Sequence, residues 1–134
     1  MTLLDFIKNN EVDYSYNRAS ETLLCEIEVK IGTTFGKQLR QYILDYGYLG
    51  YKHVELFGVN AFQGLDSDMV TKTKRLNERF PKTKGMLAIE DQGDGDYYLV
   101  DSKDSVYRFV AANNELVSQN MDLFEYIVQR FLNA

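Results

Sequence analysis

The sequence contains few of the residues that cross-link a fold or bind metals. Its 134 residues include one Cys, one His, one Pro and no Trp. A single cysteine cannot form an internal disulfide, so disulfide-stapled folds are excluded, and this low use of cysteine is typical of a reducing compartment. Apolar runs are also short. None approaches the roughly 18 residues that a membrane-spanning helix requires, so no membrane association is predicted.

The N-terminal segment carries no sign of export. Residues 1–15 include Asp5 among their apolar residues and lack the basic start and uninterrupted apolar stretch of a secretory signal. We therefore expect a cytoplasmic protein. Hydrophobic residues make up 45% of the chain and aromatic residues 13%, which is sufficient for a self-supporting core. The length predicts one domain over residues 1–134, with residues 1–19 as its N-terminal extension.

Helical periodicity and capping residues are followed along the chain by short β-prone runs. Ser20 and Gly32 bound a predicted helix over residues 20–31, whose apolar side chains recur at a period near 3.6. Four other helices are predicted. The first covers Leu3 to Lys8, the second runs from a Thr34 cap to Gly47, the third runs from a Ser67 cap to Pro81, and the last begins after Asn120. Predicted strands are Met86 to Ile89, Tyr97 to Val100 and Val106 to Val110. Because no β-α-β alternation appears, we predict an α+β fold, a single domain with a central antiparallel sheet packed against several helices.

An acidic block, EDQGDGDYYLVDSKD at residues 90–104, contains six acidic residues and one base. A calcium loop is one interpretation, but Gly93 and Tyr98 stand where oxygen ligands would be needed. The favoured interpretation is a hairpin in which Asp and Gly supply the turn conformations. No metal site is predicted, although cation binding by this hairpin stays open.

No set of residues indicates catalysis. His53 and Cys25 are the only residues of their kinds and nothing places them together, so we interpret Cys25 as a small buried hydrophobe and predict neither catalytic residues nor a cofactor. Gly93 and Gly95 lack the third glycine and the following helix of a phosphate-binding loop. A small hydrolase that uses carboxylates such as Glu55 and Asp101 remains an alternative.

Charge is unevenly distributed. Residues 72–84 contain six bases and one acid, so the formal net charge of −5 is the sum of +5 on this segment and −10 elsewhere. The bases are interpreted as a solvated helix face. The sequence pI near 4.9 argues against nucleic-acid binding. The ten tyrosines are interpreted first as half-buried packing residues. An interface that combined them with carboxylates would complement a basic protein partner.

Several segments, in this order along the chain, resemble the SUKH superfamily, which includes a yeast regulator of cell-wall assembly and many bacterial immunity proteins. They are IEVKIGTTFGKQLRQYILDYG at 27–47, ELFG at 55–58, AIEDQGDGDYYLVD at 88–101, VYRF at 106–109 and the closing amphipathic helix. One departure is Gly36, which stands where the family usually has proline. The resemblance implies a non-enzymatic domain that neutralises a cognate secreted toxin, often a nuclease or deaminase encoded by a neighbouring gene.

On this basis the acidic block and its tyrosines are the candidate toxin-binding surface. The candidate contacts are Glu90, Asp91, Asp94, Asp96, Tyr97, Asp101 and Asp104. Residues that match the family pattern are interpreted mainly as structural: Gly47, Glu55, Gly58, Gly95 and Tyr107. The alternative function is a non-enzymatic intracellular scaffold or regulatory module. The oligomeric state stays open.

Overall fold

The computed structural model describes residues 1–134 and contains five α-helices and two antiparallel sheets. The helices are α1 (Leu3–Asn9), α2 (Glu21–Ile31), α3 (Lys37–Tyr46), α4 (Asp68–Arg79) and α5 (Leu123–Leu132). The strands are β1 (Asp13–Tyr14), β2 (Leu49–Tyr51), β3 (Val54–Glu55), β4 (Leu87–Asp91), β5 (Tyr97–Val100), β6 (Ser105–Val110) and β7 (Glu115–Asp122). The predicted α+β class is confirmed. No helix is long and apolar enough to cross a membrane.

Local capping signals fix most helix ends. The Ser20 hydroxyl accepts a hydrogen bond from the Leu23 amide, and Gly32 ends α2 in the left-handed conformation with φ 81°. The predicted helix over 20–31 is therefore confirmed. α4 ends before Pro81, as predicted. Ser67 occupies its N-cap position, but the prediction of a side-chain cap is wrong, because the Ser67 hydroxyl donates to the carbonyls of Asn60 and Gly64 instead.

The prediction that Thr34 caps α3 is wrong. The helix begins at Lys37, and no side chain of the adjoining segment caps it. Instead the buried Asp104 carboxylate, from the turn between β5 and β6, accepts hydrogen bonds from the amides of Gln38 at 2.9 Å and Leu39 at 3.0 Å. A negative charge at this position also complements the positive end of the helix dipole.

Gly36 is required by this long-range cap. A Cβ atom at Gly36 would lie 2.3 Å from Asp104 Oδ1, which is far inside van der Waals contact. Any side chain at this position, including the proline that the family usually has, would displace the carboxylate. The departure at Gly36 is thus explained by the acidic cap.

The larger sheet has the order β4-β5-β6-β7, and its first three strands contribute buried side chains to two separate clusters, one on each face. Leu87 and Ile89 of β4 join the main core of 24 buried residues, whereas Ala88 between them joins a smaller cluster with Leu76 of α4 and Phe109. Burial on both faces explains the continuous apolar run in β4. The Thr73 hydroxyl fixes α4 to this strand by accepting a hydrogen bond from the Ala88 amide.

Strand β7 is absent from the sequence-based prediction. It pairs with β6 at the edge of the sheet, and most of its residues are exposed or half-buried. Its sequence, ELVSQNMD, has only a weak apolar alternation. Pairing with β6 is therefore what establishes this strand, since β propensity depends strongly on context.

The N-terminal residues pack into the same domain. β1 pairs with β2 in the smaller sheet, which has the order β1-β2-β3. Phe6 of α1 contacts the rings of Tyr51 and Phe131, with ring centroids 5.0 and 5.6 Å away. The segment over 1–19 thus contributes buried side chains to the core around α5.

Candidate functional site

The tip of the β4–β5 hairpin is built by Asp and Gly residues, as predicted. Asp91 Oδ1 accepts a hydrogen bond from the Gly93 amide at 2.7 Å, and Asp94 Oδ1 accepts one from the Asp96 amide at 3.2 Å. Gly93 and Gly95 have φ angles of 87° and 93°, which favour glycine. Asp91 and Asp94 remain exposed to solvent.

The Asp96 side chain points into the protein. It is buried, its Oδ2 atom lies 3.0 Å from Nη2 of Arg108, and its Oδ1 atom accepts a hydrogen bond from the Ala111 amide. These bonds connect the hairpin tip to the end of β6. Asp96 is therefore engaged in holding the sheet together.

The second turn of the block is also internally bonded. Asp101 Oδ1 accepts hydrogen bonds from the Lys103 and Ser105 amides, both at 2.9 Å. Asp104 follows in the left-handed conformation, with φ 64°, and caps α3. This turn therefore joins the sheet to α3.

Glu90 forms a buried ionic cluster with α5. Its carboxylate accepts hydrogen bonds from the Tyr126 hydroxyl and from Arg130, whose Nε lies 3.0 Å from Oε1 and whose Nη2 lies 2.9 Å from Oε2. The Glu90 side chain is 4% exposed and that of Arg130 is 26% exposed. Both charges are thus paired in good bidentate geometry.

This cluster perturbs the titration of its members. Burial, together with the Glu90 carboxylate, raises the pKa of the Tyr126 phenol far above its ordinary value. The hydrogen bond to Glu90 raises the pKa of the Arg130 guanidinium. Tyr126 is therefore a neutral donor and Arg130 is charged at neutral pH.

A β-bulge explains why Glu90 reaches α5. Ala88 pairs with Leu99 of β5 and Glu90 pairs with the next residue, Tyr98, so that Ile89 is an extra residue between the two pairs. Simple alternation would direct Glu90 to the opposite face from Ile89. The bulge directs it to the same side, where it meets Tyr126 and Arg130.

The acidic block is thus divided between the interior and the surface. Glu90, Asp96 and Asp104 are buried in internal bonds, and Asp101 is half-buried in a turn. Asp91 and Asp94 are exposed. Tyr97 is half-buried, and burial with the neighbouring Asp91 raises the pKa of its phenol. Contact between the block and a toxin stays a prediction. Of its candidate residues, the exposed Asp91 and Asp94 are the most accessible to a partner.

A cleft of about 790 Å³ is lined in part by the first residues of this block. Its walls are the segment over 53–60, the end of β4 with the turn at 91–93, and the start of α4. Its ionisable lining comprises four carboxylates, one guanidinium and one imidazole: Glu55, Asp68, Glu90, Asp91, Arg130 and His53. Because Arg130 neutralises Glu90, the remaining three carboxylates make the cleft acidic.

Two exposed aromatic residues, Tyr16 and Phe62, adjoin residues of the cleft lining in the sequence, and we call them the aromatic border. Tyr16 follows the lining residue Ser15 and is 85% exposed, and Phe62 precedes the lining residue Gln63 and is 84% exposed. The two segments are joined, since the Ala61 amide donates a hydrogen bond to the Asn17 carbonyl at 2.9 Å. Exposed aromatic residues of this kind are typical of protein-binding surfaces.

The bases at 72–84 lie on α4 and the turn after it, as expected for a solvated face. Leu76 of the same helix is buried, and none of the six bases takes part in a salt bridge. They are not among the residues that line the cleft.

The carboxylates considered for a hydrolase are not brought together in the cleft, and no metal-binding group is formed. Glu55 lines the cleft but Asp101 does not, so these two carboxylates do not form a pair within it. No group of three or more His, Cys, Asp or Glu residues is placed to hold a metal ion. Cys25 is exposed on α2, so its interpretation as a buried hydrophobe is wrong.

The residues that match the family pattern have different environments. Gly58 packs against Gly47, because a Cβ atom on Gly58 would lie 2.0 Å from the Gly47 carbonyl oxygen. Glu55 is exposed on β3 and lines the cleft. Tyr107 is half-buried on β6, opposite Leu99 of β5. The structural interpretation therefore suits the two glycines best, whereas Glu55 is free to contact a partner.

Sequence reasoning missed the partners of the buried acids. Arg108 and Arg130 neutralise Asp96 and Glu90, and the sequence carries only a faint signal of this. Arg130 is the only base in α5, and the other charged residue of this helix, Glu125, is exposed. A base next to a broad apolar stripe is a sign of a buried partner.

Comparison with known proteins is consistent with the order of motifs. The chain matches the SUKH_5 family, described as SMI1-KNR4 cell-wall, over residues 2–132. A comparison with curated proteins found no significant match. Since the family match extends over nearly the entire sequence, the chain belongs to the SUKH_5 family of SMI1-KNR4 domains.

Proposed function

We propose that this protein is an immunity protein, which binds a cognate secreted toxin and neutralises it by occlusion, without catalysis and without a cofactor. The observation that carries the proposal is the family match over residues 2–132. The proposed toxin attacks nucleic acid, and the proposed site of neutralisation is the cytoplasm.

The surface chemistry supports this proposal. An enzyme that acts on nucleic acid needs a basic groove, and an acidic inhibitor gains faster association and better complementarity with such a groove. Here exposed carboxylates at Glu55, Asp68 and Asp91 line one cleft, and the exposed residues Tyr16 and Phe62 adjoin lining residues of that cleft in the sequence. A neutralising surface combines these two kinds of contact.

Co-expression tests the proposal directly. The toxin encoded by the neighbouring gene is expressed in a sensitive host with this protein or with an unrelated acidic protein of similar size as control. We expect growth to be restored only by this protein, and we expect the pair to co-purify at equal stoichiometry. Continued growth arrest together with the absence of a complex would rule out the proposal.

A scaffold or regulatory module is the second candidate, favoured by the cell-wall description of the matched family. The two functions differ in a host that has lost the toxin gene. Deletion of this gene is then harmless for an immunity protein, whereas loss of a cell-wall regulator increases sensitivity to wall-targeting antibiotics. Growth with and without such an antibiotic separates the two functions.

A further inference from the structure

We infer that the acidic cleft and its aromatic border bind one basic protein segment, in which an apolar side chain lies next to lysine or arginine residues. This inference rests on the proposed function, because the segment is assigned to the toxin. It places the main contact at Tyr16, Phe62, Glu55 and Asp91, rather than along the whole acidic block.

The charge of the cleft selects a basic occupant. Glu55, Asp68 and Asp91 line it, are exposed, and have no salt-bridge partner within the chain. The one guanidinium in the lining, that of Arg130, is already bound to Glu90. The unpaired negative charge therefore faces the open space, where ammonium or guanidinium groups of a partner can approach it.

The aromatic border favours a toxin segment that also carries an apolar side chain. Tyr16 and Phe62 leave 85% and 84% of their surfaces exposed, so folding uses little of their capacity for burial. The two rings lie on separate segments that flank residues lining the cleft. An aliphatic or aromatic side chain of a partner can cover them, and large aromatic side chains are frequent hot spots of protein interfaces.

Hydrogen bonds hold the border in place before any partner binds. The Ser15 amide donates to the Tyr46 carbonyl at 2.8 Å, which ties the segment of Tyr16 to the end of α3. The Phe62 amide donates to Asn60 Oδ1 at 2.8 Å, and the Ser67 hydroxyl accepts from the Asn60 amide at 3.0 Å. A pre-organised border loses less conformational entropy on binding.

The same charges argue against other occupants. Phosphate groups of a nucleic acid are repelled by the three carboxylates, and the bases of residues 72–84 lie outside the cleft. A second copy of this chain could present those bases to the cleft, in which case the isolated protein would self-associate. We commit to the toxin segment, and self-association is one of the tested outcomes.

The test measures binding kinetics between the inactivated toxin from the neighbouring gene and five variants of this protein, three altered at the cleft and two that serve as controls. Phe62→Ala and Tyr16→Ala remove the border, and the double variant Glu55→Gln/Asp91→Asn removes two charges while keeping an acceptor for the Gly93 amide. Val29→Ala is the matched control for the border, because Val29 is 83% exposed on α2. Glu26→Gln, also exposed on α2, is the control for charge.

We expect each border variant to weaken affinity by at least about tenfold, mainly through faster dissociation. The charge variant should slow association severalfold and flatten its dependence on salt. The two controls should bind as the wild type does. All of the altered side chains are exposed, so circular dichroism is expected to show intact folding.

Wild-type binding by the cleft variants would overturn the inference while leaving the immunity function intact. Failure of the wild type to bind the toxin would overturn the proposed function instead. In that case the cleft is tested with the synthetic peptide Lys-Arg-Phe-Lys-Arg by NMR, with Lys-Arg-Gly-Lys-Arg as control. Chemical-shift changes confined to residues near 15–17, 53–63 and 91–93 would support peptide binding in the cleft. Chemical-shift changes scattered over the protein would overturn the inference. Dimers of the isolated protein that dissociate in the variant Glu55→Gln/Asp91→Asn would also overturn it.

Discussion

The change Arg130→Met tests the buried cluster of Glu90, Tyr126 and Arg130 through the stability of the protein. Methionine keeps most of the apolar stem of the arginine and removes its charged head. The Glu90 carboxylate, with its side chain 4% exposed, then loses the partner that balances its charge. Removal of one member of a buried ion pair destabilises a protein by about 3–5 kcal/mol.

The expected effect lies at the lower end of this range, at about 3 kcal/mol. Arg130 is 26% exposed, so water can enter when the guanidinium is removed, and Tyr126 still donates a hydrogen bond to Glu90. With an unfolding entropy of roughly 2.1 cal/mol/K per residue, this loss lowers the Tm of a chain of this length by roughly 10 °C. Urea titration and thermal circular dichroism measure both quantities.

Two further variants isolate the charge as the cause. Adding Glu90→Gln to Arg130→Met removes the unpaired charge, so we expect the double variant to regain about 1–2 kcal/mol. Glu21→Gln is the exposed control: Glu21 is 60% exposed where it contacts Arg40, and its loss should change stability by less than about 1 kcal/mol. The reasoning is refuted if Arg130→Met loses less than about 1 kcal/mol, or if Glu90→Gln restores nothing.

Three other changes test separate features of the fold. The pKa of Tyr126 is raised above its ordinary 10.0, so above about pH 10 the folded state keeps a proton that the unfolded chain releases, and the free energy of unfolding falls as pH rises. Tyr126→Phe should reduce this fall by about 1.4 kcal/mol per pH unit in urea titrations from pH 10 to 12. An unchanged pH dependence would contradict this. Gly36→Ala should destabilise the wild-type protein by more than about 2 kcal/mol, because the added Cβ displaces the Asp104 carboxylate. In an Asp104→Ala background, where this carboxylate is absent, the same change should cost under about 1 kcal/mol. Equal losses in the two backgrounds, measured by urea titration, would argue against the cap. Lys52→Gly should raise stability by about 0.5 kcal/mol, because Lys52 has φ 52° in the β2–β3 turn, and a lower urea midpoint would count against this strain.

Features encoded by neighbouring residues were predictable from the sequence. The bounds of α2 follow from Ser20 and Gly32, which act on backbone groups three or four residues away. The end of α4 before Pro81 and the strand at Tyr97–Val100 have similarly local causes. The hairpin tip was also predictable, since Asp91 and Asp94 bond amides two residues ahead.

Features that depend on distant residues were not predictable. The start of α3 depends on Asp104, which lies 66 residues beyond Gln38 in the chain. Strand β7 depends on pairing with β6 rather than on a strong alternation of its own. The acidic cleft depends on how Glu55, Asp68 and Asp91 are brought together from three separate elements. Sequence spacing carries no information on such contacts.

The sequence by itself determined the α+β class, most helix ends and the acidic balance of the chain, because capping, periodicity and composition act locally. Only the tertiary structure decided the role of each acid. A bulge in β4 directs Glu90 to Arg130, the sheet buries Asp96 and a turn aims Asp104 at α3, whereas Asp91 remains exposed. The physical reason is that a carboxylate is buried only where the fold supplies its donors, and those donors lie on other elements.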